Sequence, residues 1–172
     1  MVIRMNDYVE ERLPGPTGAG RKHSRELSPG TVYRQDGYAV VGSSGLLRQE
    51  RVDLNTHTRD YYEKRGQADA STLLGEAGVT EDSDREFYRL TEEHTYYVVF
   101  EDELHLPAGH VGLVVPQENL LRSGVMSHAA PIGPEETHAE ALLHVKANNV
   151  LVDHDASIAE LVAVEAADPT RA

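Results

Sequence analysis

Histidines, late glutamates and an arginine closing a polar loop are the residues whose types could do chemistry in this chain. His105 and His110 flank a Pro-Ala-Gly turn, and His128, His138 and His144 follow further on. Histidine binds metals and moves protons near neutral pH, but none of these pairs has an established ligand spacing such as H-E-x-x-H. They read as surface histidines, and no metal site is expected from them. Between them the apolar run Val111 to Val115 feeds the loop Pro116-Gln117-Glu118-Asn119-Leu120-Leu121-Arg122. An arginine so placed can hold a phosphate, or a carboxylate or a contact between copies. The chain has no G-x-x-x-x-G-K-[ST] loop, no G-x-S-x-G elbow and no dinucleotide fingerprint. With no cysteine, it has no disulfides, thiolate zinc sites or cysteine nucleophiles.

The elements that must position these groups read as short strands. Thr31 to Val41 is rich in β-favouring residues, with Asp36-Gly37 as a hairpin signal and Gly42-Ser-Ser-Gly45 as a second turn. Arg51 to Thr58 alternates as a strand. Further strands are expected at Phe87 to Leu90, Thr95 to Phe100, Leu104 to Leu106, Val111 to Val115, Ala141 to Val145, Val150 to Val152 and Ile158 to Val164. Asn119 to Gly124 tolerates a helix. Strands this close, joined by turns, indicate an all-β antiparallel sandwich. Residues 1–30 read as a tail: Asp7 to Leu13 could make two helical turns before the prolines and glycines that follow, and RKHSRE reads as a solvated charge run. Residues 31–166 read as one β domain, and 167–172 as a second tail. Residues 61–85 read as a long acidic surface excursion with a short helix at Ala70 to Ala77, placed where it could cover a site.

Charge narrows the partners. Among 172 residues, 29 are acidic and 16 basic, only Lys22, Lys64 and Lys146 are lysines, and the formal charge is −13. DNA or RNA partners need clustered positive charge and are not expected. No run is long and apolar enough for a membrane span, and the N-terminus is unlike a secretory signal, so a cytoplasmic protein is expected. Few lysines, two phenylalanines and no tryptophan suit a high-salt, halophilic cytosol, where the Debye length shrinks to about 3 Å.

Four partial motifs, in order and spacing, carry a resemblance. They are Val52-Asp53-Leu54, then LPAGHVGLVVP leading into Pro116 to Arg122, then Ser127-His-Ala-Ala-Pro-Ile-Gly-Pro-Glu-Glu136, and Asp155-Ala-Ser-Ile-Ala-Glu-Leu-Val162. Together they resemble the dUTPase/dCTP-deaminase family, and most closely its archaeal branch. The resemblance implies a jelly-roll-like β-sandwich that assembles as a homotrimer, with pyrimidine deoxynucleotide sites at subunit boundaries and Mg2+ bridging the phosphates.

It also implies roles. Asn119 and Arg122 fall in the phosphate loop, where Gln117 replaces an arginine and Glu118 and Asn119 replace a hydroxyl pair. Ala130, Ile132 and Gly133 fall in the hairpin that holds the nucleoside, and Gly133 stands where the water-orienting aspartate is expected. Glu135 and Glu136 follow closely: a glutamate could reach back to replace that acid, or the pair could be a solvated loop. Glu140 is the candidate proton shuttle for deamination, with Leu142 and Leu143 where a glutamate is most expected. Asp53 would support the site structurally. The resemblance thus implies dUTP hydrolysis to dUMP and pyrophosphate, reduced or lost with the aspartate; a non-catalytic trimeric scaffold or protein-interaction subunit is the alternative, and deamination fits less well than hydrolysis.

Overall fold

Along Thr95–Phe100, Tyr96, Val98 and Phe100 are buried while Thr95, Tyr97 and Val99 are half-exposed. This period of two marks a sheet with one face on a core and the other toward solvent. The computed structural model describes residues 24–146 and 148–166. The helical turns expected at Asp7 to Leu13 and the tail at 167–172 lie outside them.

Ten strands follow in chain order: β1 Ser24–Leu27, β2 Pro29–Gly42, β3 Gly45–Leu54, β4 Phe87–Leu90, β5 Thr95–Phe100, β6 His110–Pro116, β7 Val125–His128, β8 Glu140–Val145, β9 Val150–Asp153 and β10 Ala159–Glu165. They form a five-stranded sheet in the order β3-β2-β5-β8-β7, a three-stranded sheet β1-β10-β6 and a pair β4-β9. The pairings are antiparallel throughout. One core draws on all three sheets, with Leu27, Tyr96, Val98, Val145 and Leu161 essentially sealed from solvent. The chain therefore has the all-β antiparallel architecture its sequence predicts.

Three local expectations are corrected. Asp36-Gly37 is not a hairpin turn: it lies inside β2, where the register shifts between Gln35 and Ala39. Gly37 adopts φ 88°, and the Glu50 carboxylate accepts the Tyr38 N–H at 3.2 Å, so the turn signal is satisfied by a bulge. The hairpin closes instead at Gly42 to Gly45. Leu104 to Leu106 is a buried loop, anchored by the Leu104 N–H on the Thr137 carbonyl at 2.6 Å. The charge run reading of the early segment also fails at Arg25, which lies in β1 and bonds Asp102 at 2.6 Å.

The acidic stretch folds as two helices, α1 Arg59–Lys64 and α2 Ala68–Glu76. Thr58 caps α1 by accepting the Tyr61 N–H. The pair builds a second small core from Tyr62, Ala70, Leu74, Val79 and Phe87. Tyr62 donates to the Phe87 carbonyl at 2.7 Å, and burial pushes its hydroxyl pKa up to about 12.

Candidate functional site

The loop after β6 forms α3, Glu118–Arg122, whose Leu120 anchors it in the main core. Its polar residues are largely spent on structure. The Gln117 amide donates to Glu160 at 3.1 Å and to the Ser157 hydroxyl at 3.4 Å. Asn119 donates to the Ser157 carbonyl at 3.0 Å and accepts the Leu120 N–H at 2.7 Å. Arg122 pairs with Glu118 one turn back, both side chains about three-quarters exposed at 78% and 74%. An approaching phosphate would meet that carboxylate as well as the guanidinium.

The hairpin between β7 and β8 is built differently. Ile132 is buried and exchanges two backbone hydrogen bonds with Gly112 of β6, at 2.8 and 2.9 Å. A side chain at 112 would strike Ile132, Leu106 and Leu161, so glycine there permits the close approach. Ala130 is exposed at the hairpin. Gly133 follows, and both neighbouring carboxylates converge on it. Glu136 accepts the Gly133 N–H at 2.9 Å. The Glu135 carboxylate oxygens lie 2.6 and 2.7 Å from where a Cβ at 133 would sit. Glu135, two residues along the chain, thus folds back over position 133.

Ile132 meets β6 at Gly112, four residues before the Pro116 from which α3 departs. At about 3.3 Å per residue that is roughly 13 Å along the strand.

Glu140 and Leu142 project from the solvent face of β8, while Leu143 is buried on the other side. Glu140 accepts a hydrogen bond from Tyr97. Burial first, and then that bond, push the Tyr97 hydroxyl's pKa well above its ordinary value. Tyr97 contacts Tyr33 at 6.2 Å between ring centroids, and the Arg51 guanidinium lies 3.9 Å over the Tyr33 ring. Asp53 stands opposite Tyr33 on β3, exposed. This four-strand network was not anticipated; its only trace is alternation, which does not reveal partners. Nor was Asp153-His154-Asp155, whose potential ligand atoms lie within 4.8 Å of one another. Asp153 there is committed to Arg85 at 2.7 and 3.0 Å.

The chain is an antiparallel sandwich with a short helix after the sixth strand and a β-bridged hairpin following it, consistent with a dUTPase-type all-β fold. Among solved structures the chain is similar to the 2'-deoxycytidine 5'-triphosphate deaminase from Agrobacterium tumefaciens, with a TM-score of 0.52 and 13% identity. The match covers 91% of this chain and 45% of that one, so the chain spans less than half the deaminase's length. At this identity the likeness is one of fold. No protein-family model matches the chain, and no curated protein matches it. Among the described residues no helix is long and apolar enough to cross a membrane.

Proposed function

We propose that this protein binds a pyrimidine deoxynucleoside triphosphate of the dUTP or dCTP class and hydrolyses it slowly, releasing pyrophosphate. The observation that carries the reading is the Glu135 carboxylate lying over Gly133, where an orienting acid is needed. Hydrolysis requires a held water and compensation of phosphoryl charge. Glu135 orients the water; Glu136, bonded to the Gly133 N–H, fixes the turn. Their hard oxygens suit Mg2+, which binds through one or two carboxylates plus substrate phosphates. Ala130 would offer its backbone groups to the nucleoside, on a hairpin held in place by the bonds of Ile132 to Gly112 and of Gly133 to Glu136, and Arg122 would meet the phosphate end beside Asn119, whose amide fixes the loop. The separation of hairpin and α3 along β6 favours a site completed by a neighbouring copy, as in a homotrimer. The similarity to a dCTP deaminase in fold supports the nucleotide class.

The Glu118–Arg122 pair favours a second reading, a nucleotide-binding scaffold without turnover, because a phosphate must compete with Glu118. Pyrophosphate release from dUTP and dCTP, measured in molar potassium chloride with magnesium, separates the two. Slow release abolished by Glu135→Gln supports hydrolysis. Nucleotide-dependent thermal stabilisation without release supports the scaffold, and neither effect removes the nucleotide from the account.

A further inference from the structure

Residues 36–38 of β2 lie outside the strand ladder. Gln35 pairs with Arg51 and Ala39 with Gln49, so three residues on β2 face Glu50 alone on β3. A bulge leaves its extra residues unpaired and bends the strand. The first two here are Asp36 and Gly37, and no other aspartate of the chain precedes a glycine. That dipeptide carries its own reaction. The aspartate carboxyl carbon is one five-membered ring away from the next backbone nitrogen, and a glycine puts no Cβ in the path of attack.

The surroundings leave Asp36 free to react. Its side chain is 61% exposed, and its ion pair with Arg34 is loose, at 3.6 Å. Asp69, Asp102 and Asp153 are instead each held by an arginine at 2.6 to 2.8 Å. On the other side of the peptide, the Glu50 carboxylate lies so close to Gly37 that a Cβ there would overlap it. The same carboxylate accepts the Tyr38 N–H at 3.2 Å and is held by Arg48 at 2.7 Å. A base thus stands beside the attacking amide. Gly37 also has φ 88°, so backbone and neighbour alike keep this position glycine and the reactive pair intact.

We infer that the Asp36–Gly37 peptide is a site of backbone modification in the folded protein, closing to a succinimide and opening to isoaspartate. In the first step the Gly37 nitrogen attacks Cγ of the protonated Asp36 carboxyl. The N–Cγ bond forms, a Cγ–O bond breaks, and water leaves carrying the amide proton. In the second step water adds at the Asp36 α-carbonyl and breaks its bond to the Gly37 nitrogen. The nitrogen stays on Cγ and the carboxylate ends on the α-carbon. Water is the only co-reactant, and the mass is unchanged. The main chain gains one methylene. Within a paired strand such an insertion would disturb the register. Here it falls between the Gln35–Arg51 and Ala39–Gln49 pairs, so both keep their partners and the product stays folded. The site is independent of the nucleotide reading.

The test ages the full chain at neutral pH in molar potassium chloride, beside a sample kept unfolded in guanidinium. Peptide mass spectrometry, with an endoprotease that cuts before aspartate and not before isoaspartate, reads the product. Isoaspartate is expected at Asp36 of the folded protein several-fold above its level at Asp53, which is exposed but paired in the ladder. Asp36→Asn should convert faster, losing ammonia in place of water, and Asp36→Glu, which would need a six-membered ring, should stay unmodified. The aged wild type should keep the far-ultraviolet spectrum and melting temperature of fresh protein. Conversion in the unfolded sample alone, equal product at Asp36 and Asp53, or a melting temperature that falls as isoaspartate accumulates would overturn the inference.

Discussion

At Gly133 the backbone N–H is held by Glu136, while the Glu135 carboxylate fills the space in which a side chain at 133 would begin. An aspartate restored there must displace Glu135, which is long and exposed, so the displacement costs little. Gly133→Asp combined with Glu135→Ala is therefore expected to raise pyrophosphate release from dUTP by about 100-fold, the scale set by repositioning a water-orienting group by an ångström. A rate unchanged from wild type in a steady-state assay would place the chemistry elsewhere. Arg122 presents the opposite case, since its partner Glu118 opposes an anion. Glu118→Gln should tighten dUTP binding in calorimetry while costing the exposed pair's contribution of about 0.3–0.5 kcal/mol. Part of this was legible in the chain: Gly133 and the two glutamates beyond it are visible as letters. Their convergence was not, because it depends on the turn in which Glu136 N–H bonds the Gly133 carbonyl at 3.2 Å. Nor could a local pattern show that Asn119 is tied to Ser157, 38 positions away.

Elements were legible where the burial period is clean. Phe87–Leu90 and Thr95–Phe100 form over the residues their β-rich composition predicts, and the second alternates cleanly in burial. The helical excursion was less so, because α1 spans only six residues and shows no full apolar period. Its place in the fold rests on few contacts, since Leu74 is 3% exposed within a cluster of five buried residues. Leu74→Ala should remove roughly 2–5 kcal/mol. The loss should be local, with α1 and α2 amides exchanging faster and β5 and β8 keeping their protection. Uniform loss across all strands in hydrogen exchange would instead make the excursion part of the main cooperative unit. His57 links the excursion to β4: it bridges Phe87 and stacks on the Tyr61 ring at 3.6 Å. Burial holds its pKa below the ordinary 6.5. The unfolded chain therefore takes up this proton first as pH falls through about 6.5, so stability from the neutral ring is intact above that value and declines below it. Melting temperatures between pH 8 and 5.5 should fall for wild type and fall less for His57→Phe. Parallel curves for the two proteins would exclude this histidine as the source.

At the scale of the whole molecule, 29 acidic residues face 16 lysines and arginines, an excess of 13 carboxylates. Several of the cations present are already engaged, as in Arg25–Asp102, Arg85–Asp153 and Arg89–Asp69. The remaining repulsion reaches about 10 Å at 0.1 M salt and about 3 Å at 1 M. We propose that the chain works in molar salt, and that its stability depends on screening. The melting temperature should climb between 0.1 and 2 M potassium chloride, most steeply at the low end, where the screening length changes fastest. Salt also strengthens apolar burial, and sulfate does so far more than chloride. Potassium sulfate and potassium chloride matched in ionic strength separate the causes. Coincident curves below about 0.5 M assign the gain to screened carboxylates. A gain seen only in sulfate assigns it to the core, and the charge of −13 then has no bearing on where the protein folds.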